Sequence, residues 1–312
     1  MPTAPNRADH PTAPGKILVT GATGDIGGHL AQALHDSGAP LVVMCRKPEQ
    51  RAAFEQRGIE AVAGDLSDPP SLARAMTGVE QLFLLAPESV DQLSLDQAAI
   101  DAAAATGVHH VVKLSTLDAN PSSAIPWARD HARADTYLAA SGMRWTRLAP
   151  GAFTKNFLQL APAIRRGVLP GTSGNGATTW VDVRDIGQAA AHVLTTAALQ
   201  GDTSGRSYIL TGTHPLSFPE VAAHLSTALG HKVRYLHIPA PLMLAGLRAS
   251  GVPSWQARGL VHQFVDVVRR GADHGRVHTT DLEHLLGRAP RDVADFATEH
   301  HDQLGRQGRR VP

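Results

Sequence analysis

The stretch KILVTGATGDIGGHL, residues 16–30, decides the fold class of this chain. A buried-strand run leads directly into three glycines spaced by three, and an amphipathic segment follows. Gly21 permits a tight turn, Gly24 lets backbone approach a pyrophosphate, and Gly27 lets a helix pack against the strand. Because strand, spacing and helix agree, the stretch predicts a dinucleotide site rather than a plain turn. The predicted contacts of this loop are Gly21, Thr23, Gly24, Asp25, Ile26 and Gly27.

On the C-terminal side of this stretch, short apolar runs alternate with helical patterns as far as Pro150. The runs predict strands at residues 16–20, 41–45, 60–65, 81–86, 109–115 and 143–149. Strands and helices that alternate in this way imply right-handed crossovers and a parallel sheet covered on both faces. The sequence therefore predicts an α/β fold, a Rossmann-type doubly wound parallel sheet.

Beyond Pro150 the alternation gives way to turn-rich and helical segments. RSYILTG at 206–212 resembles one more strand, and Ser217 and Glu220 have capping-box spacing at the start of a helix. The residues from Pro239 to about Arg270 have a helical pattern with Pro and Gly interruptions. The predicted division is a disordered leader over 1–15, a nucleotide-binding Rossmann domain over 16–150 with 181–200 packing against it, and a smaller, mostly helical substrate-side domain over 151–312.

Composition excludes several classes of partner. The 312 residues carry a formal net charge of +1, so no field favours nucleic acid or an anionic membrane. No apolar run approaches the roughly 18–20 residues that a membrane span needs, and the N-terminal residues contain no signal-peptide core. Cys45 is the single cysteine, which excludes an intrachain disulfide. We expect a cytoplasmic protein that acts on a small molecule, and the sequence leaves its oligomeric state open.

The residues after the second strand indicate which nicotinamide cofactor binds. NAD sites normally carry an acid there, which bonds the ribose 2′-hydroxyl. This chain has Arg46 and Lys47 instead, and arginine can bind a 2′-phosphate through two hydrogen bonds. A solvated pair at a strand end is the alternative, but the pattern favours NADP(H). Further predicted cofactor contacts at strand ends are Asp65, Leu66, Ala86 and Pro87.

With these features placed, the chain resembles the NmrA-like group of atypical short-chain dehydrogenase/reductases, over residues from about 16 to 300. That group includes NADPH:quinone and triphenylmethane reductases as well as NmrA-type regulators. The resemblance is carried by TGATGDIGG, GDLSDP, HARADTYLAASGMRWT, LAPGAFTKNF, WVDVRDIGQAA and LTGTHPLSFPEVAAHLSTALG. It implies an NADP(H)-binding oxidoreductase.

The chain departs from the superfamily at the catalytic helix. Typical members carry Tyr-x-x-x-Lys there, with an acid four residues later, and the corresponding residues here are Trp127, His131 and Asp135. The NmrA-like reductases commonly have His at the lysine position. Trp127 has a single N–H donor and cannot shuttle a proton. His131 is open to three interpretations: a ligand of the cofactor ribose, a packing residue, or a general acid.

The resemblance also implies the remaining site residues. Ser115 and Thr116 are the nearest hydroxyls to the expected nicotinamide and are candidates for orienting a substrate. Pro150 matches the family's stretch beside the nicotinamide. Trp127, Phe153, Asn156 and Phe157 are the predicted substrate contacts, although an aromatic residue near a helix start is as often part of the core.

Three functions remain open at this stage. The first is an NADPH-dependent reductase of small electron-poor molecules such as quinones, iminium ions or conjugated natural-product intermediates. The second is a non-catalytic NADP-binding regulator, and the third is a tailoring enzyme that catalyses a non-redox step. The 17 histidines form no HExxH or comparable helical motif, so we expect no metal site.

Overall fold

The computed structural model describes residues 15–200, 205–271 and 277–306. Of the predicted leader over residues 1–15, residues 1–14 lie outside these ranges. In chain order the strands are β1 (Ile17–Val19), β2 (Leu41–Cys45), β3 (Glu60–Ala63), β4 (Gln81–Leu84), β5 (His110–Leu114), β6 (Arg144–Pro150), β7 (Ala152–Phe153), β8 (Val168–Gly171), β9 (Ala177–Thr178), β10 (Trp180–Val181), β11 (Arg206–Leu210), β12 (Leu216–Ser217) and β13 (Arg234–His237).

Helices connect and cover these strands. They are α1 (Asp25–Asp36), α2 (Pro48–Glu55), α3 (Pro69–Ala75), α4 (Gln92–Thr106), α5 (Pro126–Ala139), α6 (Ala161–Arg165), α7 (Val183–Gln200), α8 (Phe218–Leu229), α9 (Ala240–Ala249), α10 (Ser254–His262), α11 (Asp281–Leu286), α12 (Val293–Glu299) and α13 (His301–Leu304), with a 3₁₀ segment at Thr154–Leu160 and a π-helical segment at Gln263–Arg269. The capping box predicted for α8 forms. The Ser217 hydroxyl oxygen accepts a hydrogen bond from the backbone N–H of Glu220, and the backbone N–H of Ser217 donates one to the Glu220 carboxylate.

In the described ranges, β1 to β6 and β11 form a seven-stranded parallel sheet in the order β11-β6-β5-β4-β1-β2-β3. Successive residues of a strand point to opposite faces, and Ile17 and Val19 enter one core while Leu18 enters the other. Both faces are therefore covered, which explains why the strands read as unbroken apolar runs. The strand order reverses between β1 and β4, which leaves a crevice at their carboxyl ends. The predicted α/β fold class is confirmed.

Segments beyond residue 150 contribute to the main sheet and to the layer that covers it. Strand β11 pairs with β6 and so extends the main sheet, and α7 packs on α1. Leu282 and Leu285 of α11 also belong to the core beneath α1. These segments from the second half cover an otherwise open sheet edge and face. The C-terminal unit has its own core, between α6, α8 and α12. No helix among the described residues is long and apolar enough to cross a membrane.

Candidate cofactor cleft and active site

A cleft of about 750 Å³ opens at the crevice beside β1 and β4. Eight of the predicted cofactor residues line it, namely Gly21, Thr23, Gly24, Arg46, Asp65, Leu66, Ala86 and Pro87. Polar lining residues that the sequence did not single out are Gln50, Ser67, Ser89, Asp91 and Ser94. The last three precede or begin α4, the helix after the fourth strand. Their position at the start of a helix, on this edge of the sheet, is the signal that could have identified Ser89, Asp91 and Ser94.

The Gly-rich loop leaves the N-terminus of α1 free to bind a ligand. Gly21 has a φ of +65°, a left-handed conformation that a side chain would strain. Gly24 caps the helix without any side-chain hydrogen bond, so the first N–H groups of α1 remain available. A Cβ added at Gly24 would lie 3.4 Å from the Gly21 carbonyl oxygen, whereas one at Gly27 would overlap that carbonyl. The backbone at Gly24 is thus accessible to a ligand, and the absence of a side chain at Gly27 lets the helix and the loop come into contact.

The opposite end of the cleft carries a positive charge. Arg46 is exposed on the lining and, in the described part of the chain, forms no ion pair. Asp65 accepts hydrogen bonds from the backbone and hydroxyl of Ser67, and these bonds lower the pKa of its carboxyl group. A bare helix N-terminus and an unpaired arginine on one cleft fit a dinucleotide that carries an additional phosphate.

Besides His131, five predicted cofactor residues do not line this cleft. Lys47 is exposed next to the start of α2, and Asp25 forms an ion pair with Lys155. The remaining three pack inside the protein: Ile26, Gly27 and Pro150. The packing of Ile26, Gly27 and Pro150 holds the loop and the strand ends in place.

Behind the carboxyl end of β5 lies a buried cluster of charges that the sequence did not predict. Lys113 is fully buried, and its Nζ lies 3.2 Å from Oδ1 of Asp135 and 3.5 Å from Oδ2 of Asp96. Burial raises the pKa of Asp96, and Lys113 opposes that shift. Arg147 lies 3.5 Å from Asp135 on the other side. Two carboxylates and two cations therefore compensate each other at this position.

His131 is part of this cluster. Lys113 Nζ lies 3.1 Å from its Nδ1, and the amide nitrogen of Gln92 lies 3.2 Å from Nδ1 and 3.0 Å from Nε2. Within the described part of the chain, the Gln92 amide oxygen is buried without a hydrogen-bond partner. An ammonium group can only donate, so Nδ1 accepts and Nε2 carries the proton. A half-turn of the Gln92 amide then satisfies both groups. Burial, aided by Lys113, holds the pKa of His131 well below its ordinary value.

This arrangement supports one of the three interpretations of His131. The ring lies against the Lys113 ammonium group and the Gln92 amide, both inside the protein. These contacts favour a packing and network residue. The same contacts assign Asp135 to the network: its Oδ2 accepts from the Ser115 hydroxyl over 2.6 Å. Thr116 donates in the same way to Asp118 over 2.6 Å.

The predicted substrate residues separate into two groups. Phe157 is fully buried and stacks on Trp180 with ring centroids 4.6 Å apart, so its assignment as a substrate contact is corrected to a core role. The Trp127 ring packs so closely on Gly259 of α10 that a Cβ there would overlap it. Phe153 is partly buried against the main core, and Asn156 is exposed beside it. These last two remain candidates for contact with a substrate.

The described residues contain no group of three or more histidine, cysteine or acidic side chains placed to hold a metal ion. Asp182 and Asp185, which match a family stretch, pair instead with arginines: Arg184 for the first, Arg288 and Arg291 for the second. The two ion pairs of Asp185 join the start of α7 to the C-terminal segments.

Comparison with known proteins places the fold and cleft in a family. The model of the NmrA-like family matches residues 14–294. An NAD(P)H azoreductase of Xenophilus azovorans is 32% identical over 290 residues, which cover 93% of this chain and 99% of that protein. A (4-alkanoyl-5-oxo-2,5-dihydrofuran-3-yl)methyl phosphate reductase of Streptomyces griseus is 33% identical over 286 residues, which cover 91% and 97%.

Among solved structures, an NADPH-dependent quinone oxidoreductase from Escherichia coli, complexed with NADPH, matches with a TM-score of 0.81 and 28% identity. The match covers 91% of this chain and 99% of that one. The resemblance drawn from the motifs is thereby confirmed, and the chain belongs to the NmrA-like family.

Proposed function

We propose that this protein is an NADPH-dependent reductase that transfers hydride to a small electron-poor organic acceptor without a tyrosine acid. The cofactor assignment rests on one observation: the same cleft is lined by the N-terminus of α1, which has no side-chain cap, and by Arg46, which forms no ion pair with the residues described. Relatives over most of this chain are named as an NAD(P)H azoreductase and as a (4-alkanoyl-5-oxo-2,5-dihydrofuran-3-yl)methyl phosphate reductase, which supports an oxidoreductase that uses a nicotinamide cofactor.

Under this proposal, different residues of the cleft bind different parts of the cofactor. The N–H groups that follow Gly24 bind the pyrophosphate at the positive end of the α1 dipole. Arg46 binds the 2′-phosphate, which a carboxylate at the same place would repel. Asp65, held by Ser67, lies where the adenosine half would pass. When bound, NADPH supplies a hydride from its nicotinamide ring.

On this proposal, the two residues at the superfamily's tyrosine and lysine positions supply no proton. The superfamily's tyrosine position is Trp127, whose ring packs on α10, and His131 is a neutral ring bonded to Lys113 and Gln92. A protein acid at a developing oxyanion is typically worth about 10²–10⁴-fold in rate. Acceptors that are cationic or strongly electron-poor need less of this help, because they can take any proton later from water. The chemistry of the site thus favours quinones, iminium ions and conjugated dyes over simple ketones.

Steady-state oxidation of NADPH against a matched panel of acceptors tests the proposal. The panel contains quinones, iminium ions and cationic dyes in one group and unactivated aliphatic ketones in the other. We expect turnover in the first group and little in the second. Efficient reduction of the ketones would contradict the inference that the site lacks a general acid. Tight NADPH binding with no turnover in either group would favour a cofactor-binding regulator instead.

A further inference from the structure

A second pocket opens on the C-terminal unit, beside the parallel strand pair β8–β13. Its volume of about 470 Å³ is in the size range of small-molecule sites. Of its eight lining residues, all within the described ranges, none is acidic and four are cationic. These four define the basic pocket: Arg166, Lys232, Arg234 and Arg306. No residue of this pocket lines the cofactor cleft, so the two sites are separate.

The positive charge of the basic pocket has no counter-charge in the part of the chain that the structure describes. None of its four cations forms an ion pair or a side-chain hydrogen bond with another described residue. Three arginines elsewhere beyond residue 150 do bind carboxylates, namely Arg184, Arg288 and Arg291. Like charges that are gathered without a counter-charge repel one another. An anion that binds between them relieves this repulsion.

The backbone brings these cations together from three segments of the chain. Arg166 comes before β8, Lys232 and Arg234 lie at the start of β13, and Arg306 follows α13. The N–H of Arg234 donates to the carbonyl of Gly167 over 2.9 Å, and Gly167 has a φ of +84°. A Cβ added at Gly167 would lie 2.7 Å from the Lys232 carbonyl oxygen, so glycine permits this close approach. The strand pairing therefore fixes the backbone from which the cations extend.

One wall of the basic pocket is rigid and partly apolar. The Tyr235 hydroxyl donates to the carbonyl of Gly171 over 3.1 Å and accepts from the N–H of Gly174 over 3.0 Å. The Tyr235 ring packs on Phe218 with ring centroids 5.8 Å apart, and Leu236 beside it is 53% exposed. A planar or apolar part of a ligand can rest on this wall while its anionic groups face the cations.

We propose that the basic pocket binds a small soluble polyanion that carries adjacent phosphate groups, such as a triphosphate. A guanidinium group binds phosphate oxygens through two parallel hydrogen bonds, and an ammonium group adds a point charge. Four positive charges suit a ligand with several negative charges better than one with a single phosphate. The closed outline of the pocket favours a small molecule over an extended polymer. This binding site goes beyond the proposed reductase function and does not depend on it.

Calorimetry with inorganic triphosphate as the probe tests the proposal. The protein is loaded with one equivalent of NADP⁺, which occupies the loop after β1, and the buffer contains no divalent metal. We expect one saturable site per chain, with an affinity that falls as ionic strength rises, because the cations are exposed. Sulfate at the same ionic strength should bind at least about tenfold more weakly. Uptake of both anions that is equal and does not saturate overturns the proposal.

Arg166→Ala and Arg234→Ala should each weaken triphosphate binding about tenfold, because each removes a charge-assisted hydrogen-bond donor. Arg74→Ala is the matched control, since Arg74 is exposed on α3 and lines neither pocket. We expect its affinity to equal that of the wild type. Wild-type affinity in both pocket variants, or an equal loss in Arg74→Ala, contradicts the proposal. If Arg234→Ala fails to fold, Arg166→Ala decides alone, since Arg166 lies outside the strand pair.

A phosphorylated lipid headgroup offers the same phosphate chemistry, and a vesicle experiment distinguishes it from a soluble ligand. The protein is sedimented with vesicles of phosphatidylcholine and phosphatidylinositol 4,5-bisphosphate. We expect it to stay in the supernatant, because a net charge of +1 gives no general attraction to an anionic surface. Capture by the vesicles that requires Arg166, without any binding of free triphosphate, overturns the assignment to a soluble ligand. A failed reductase assay changes none of these outcomes, since the basic pocket shares no residue with the cofactor cleft.

Discussion

The ammonium group of Lys113 on β5 lies 3.1 Å from Nδ1 of His131 on α5. His131 matches the position at which the superfamily carries its lysine, and the ammonium group beside it comes from a strand. Because Lys113 is fully buried and paired with Asp96 and Asp135, it organises the site from behind and does not reach into the cleft.

Lys113→Met should destabilise the fold strongly. Removing one partner of a buried ion pair leaves an uncompensated charge, which typically costs about 3–5 kcal/mol of unfolding free energy. Lys16→Met is the control, since Lys16 pairs with Glu60 at the surface and such pairs contribute less than about 1 kcal/mol. Urea unfolding followed by circular dichroism measures both. Equal losses in the two variants would contradict the central role given to Lys113.

Arg46→Ala should reduce the preference for NADPH over NADH by about tenfold or more, because a charge-assisted hydrogen bond is worth roughly 1.5–3 kcal/mol. Lys47→Ala tests whether the neighbouring charge shares this role. Lys47 does not line the cleft, so we expect a smaller change. Calorimetric titration of each variant with both cofactors gives the preference. Equal affinities of the wild type for NADPH and NADH would refute the assignment of Arg46.

Gly24→Val should abolish cofactor binding while the chain stays folded, because a branched side chain blocks the approach of the pyrophosphate to the loop. Gly27→Ala should act differently, since its Cβ would overlap the Gly21 carbonyl and strain the fold itself. Circular dichroism and NADPH titration of the two variants separate binding from folding. A folded Gly24→Val protein with normal NADPH affinity would mean that the loop is only a turn.

The sequence predicted the parallel sheet, and the glycine-rich loop after β1, because both are local patterns. Glycine spacing and apolar periodicity can be read within about 15 residues. The charge cluster is different, since Lys113, Asp96 and Asp135 come from a strand and two helices and meet only after folding. A lysine inside the apolar run HHVVKLS was its one local signal. Phe157 was misassigned for the same reason, because its partner Trp180 belongs to a later strand.

Acidification should destabilise the protein through His110. Its ring is buried between Gln81 and Thr146, and burial, followed by the charge of Arg144, lowers its pKa to about 4 from an ordinary 6.5. Between these pH values the unfolded chain binds a proton that the folded one excludes. Stability therefore falls as pH drops from about 6.5 to about 4, by at most ~1.4 kcal/mol per pH unit for this residue.

His110→Gln should lose this part of the pH dependence. Comparing the slopes of unfolding free energy against pH, instead of the absolute values, removes any packing loss caused by the substitution. His131 also has a lowered pKa and contributes a slope of the same sign, which both proteins retain. Parallel curves for wild type and variant between pH 6.5 and about 4 would show that His110 is not responsible.

The last prediction concerns the proton that the site lacks. If no side chain acts as the acid, kcat for an acceptor with a fixed positive charge should be independent of pH across the neutral range. Trp127 does not titrate, and the lowered pKa of His131 keeps its ring neutral there. Pre-steady-state oxidation of NADPH, with a cationic triarylmethane dye as acceptor, isolates the hydride step from product release.

His131→Ala should then reduce stability, because Lys113 and Gln92 lose a buried partner, while the pH profile of the hydride step keeps its shape. His29→Ala, at an exposed position on α1, controls for the loss of a histidine elsewhere. A rate that falls with rising pH in the wild type, and loses that dependence only in His131→Ala, would identify His131 as a general acid. It would also mean that the ring nitrogens exchange their partners within the cluster during turnover.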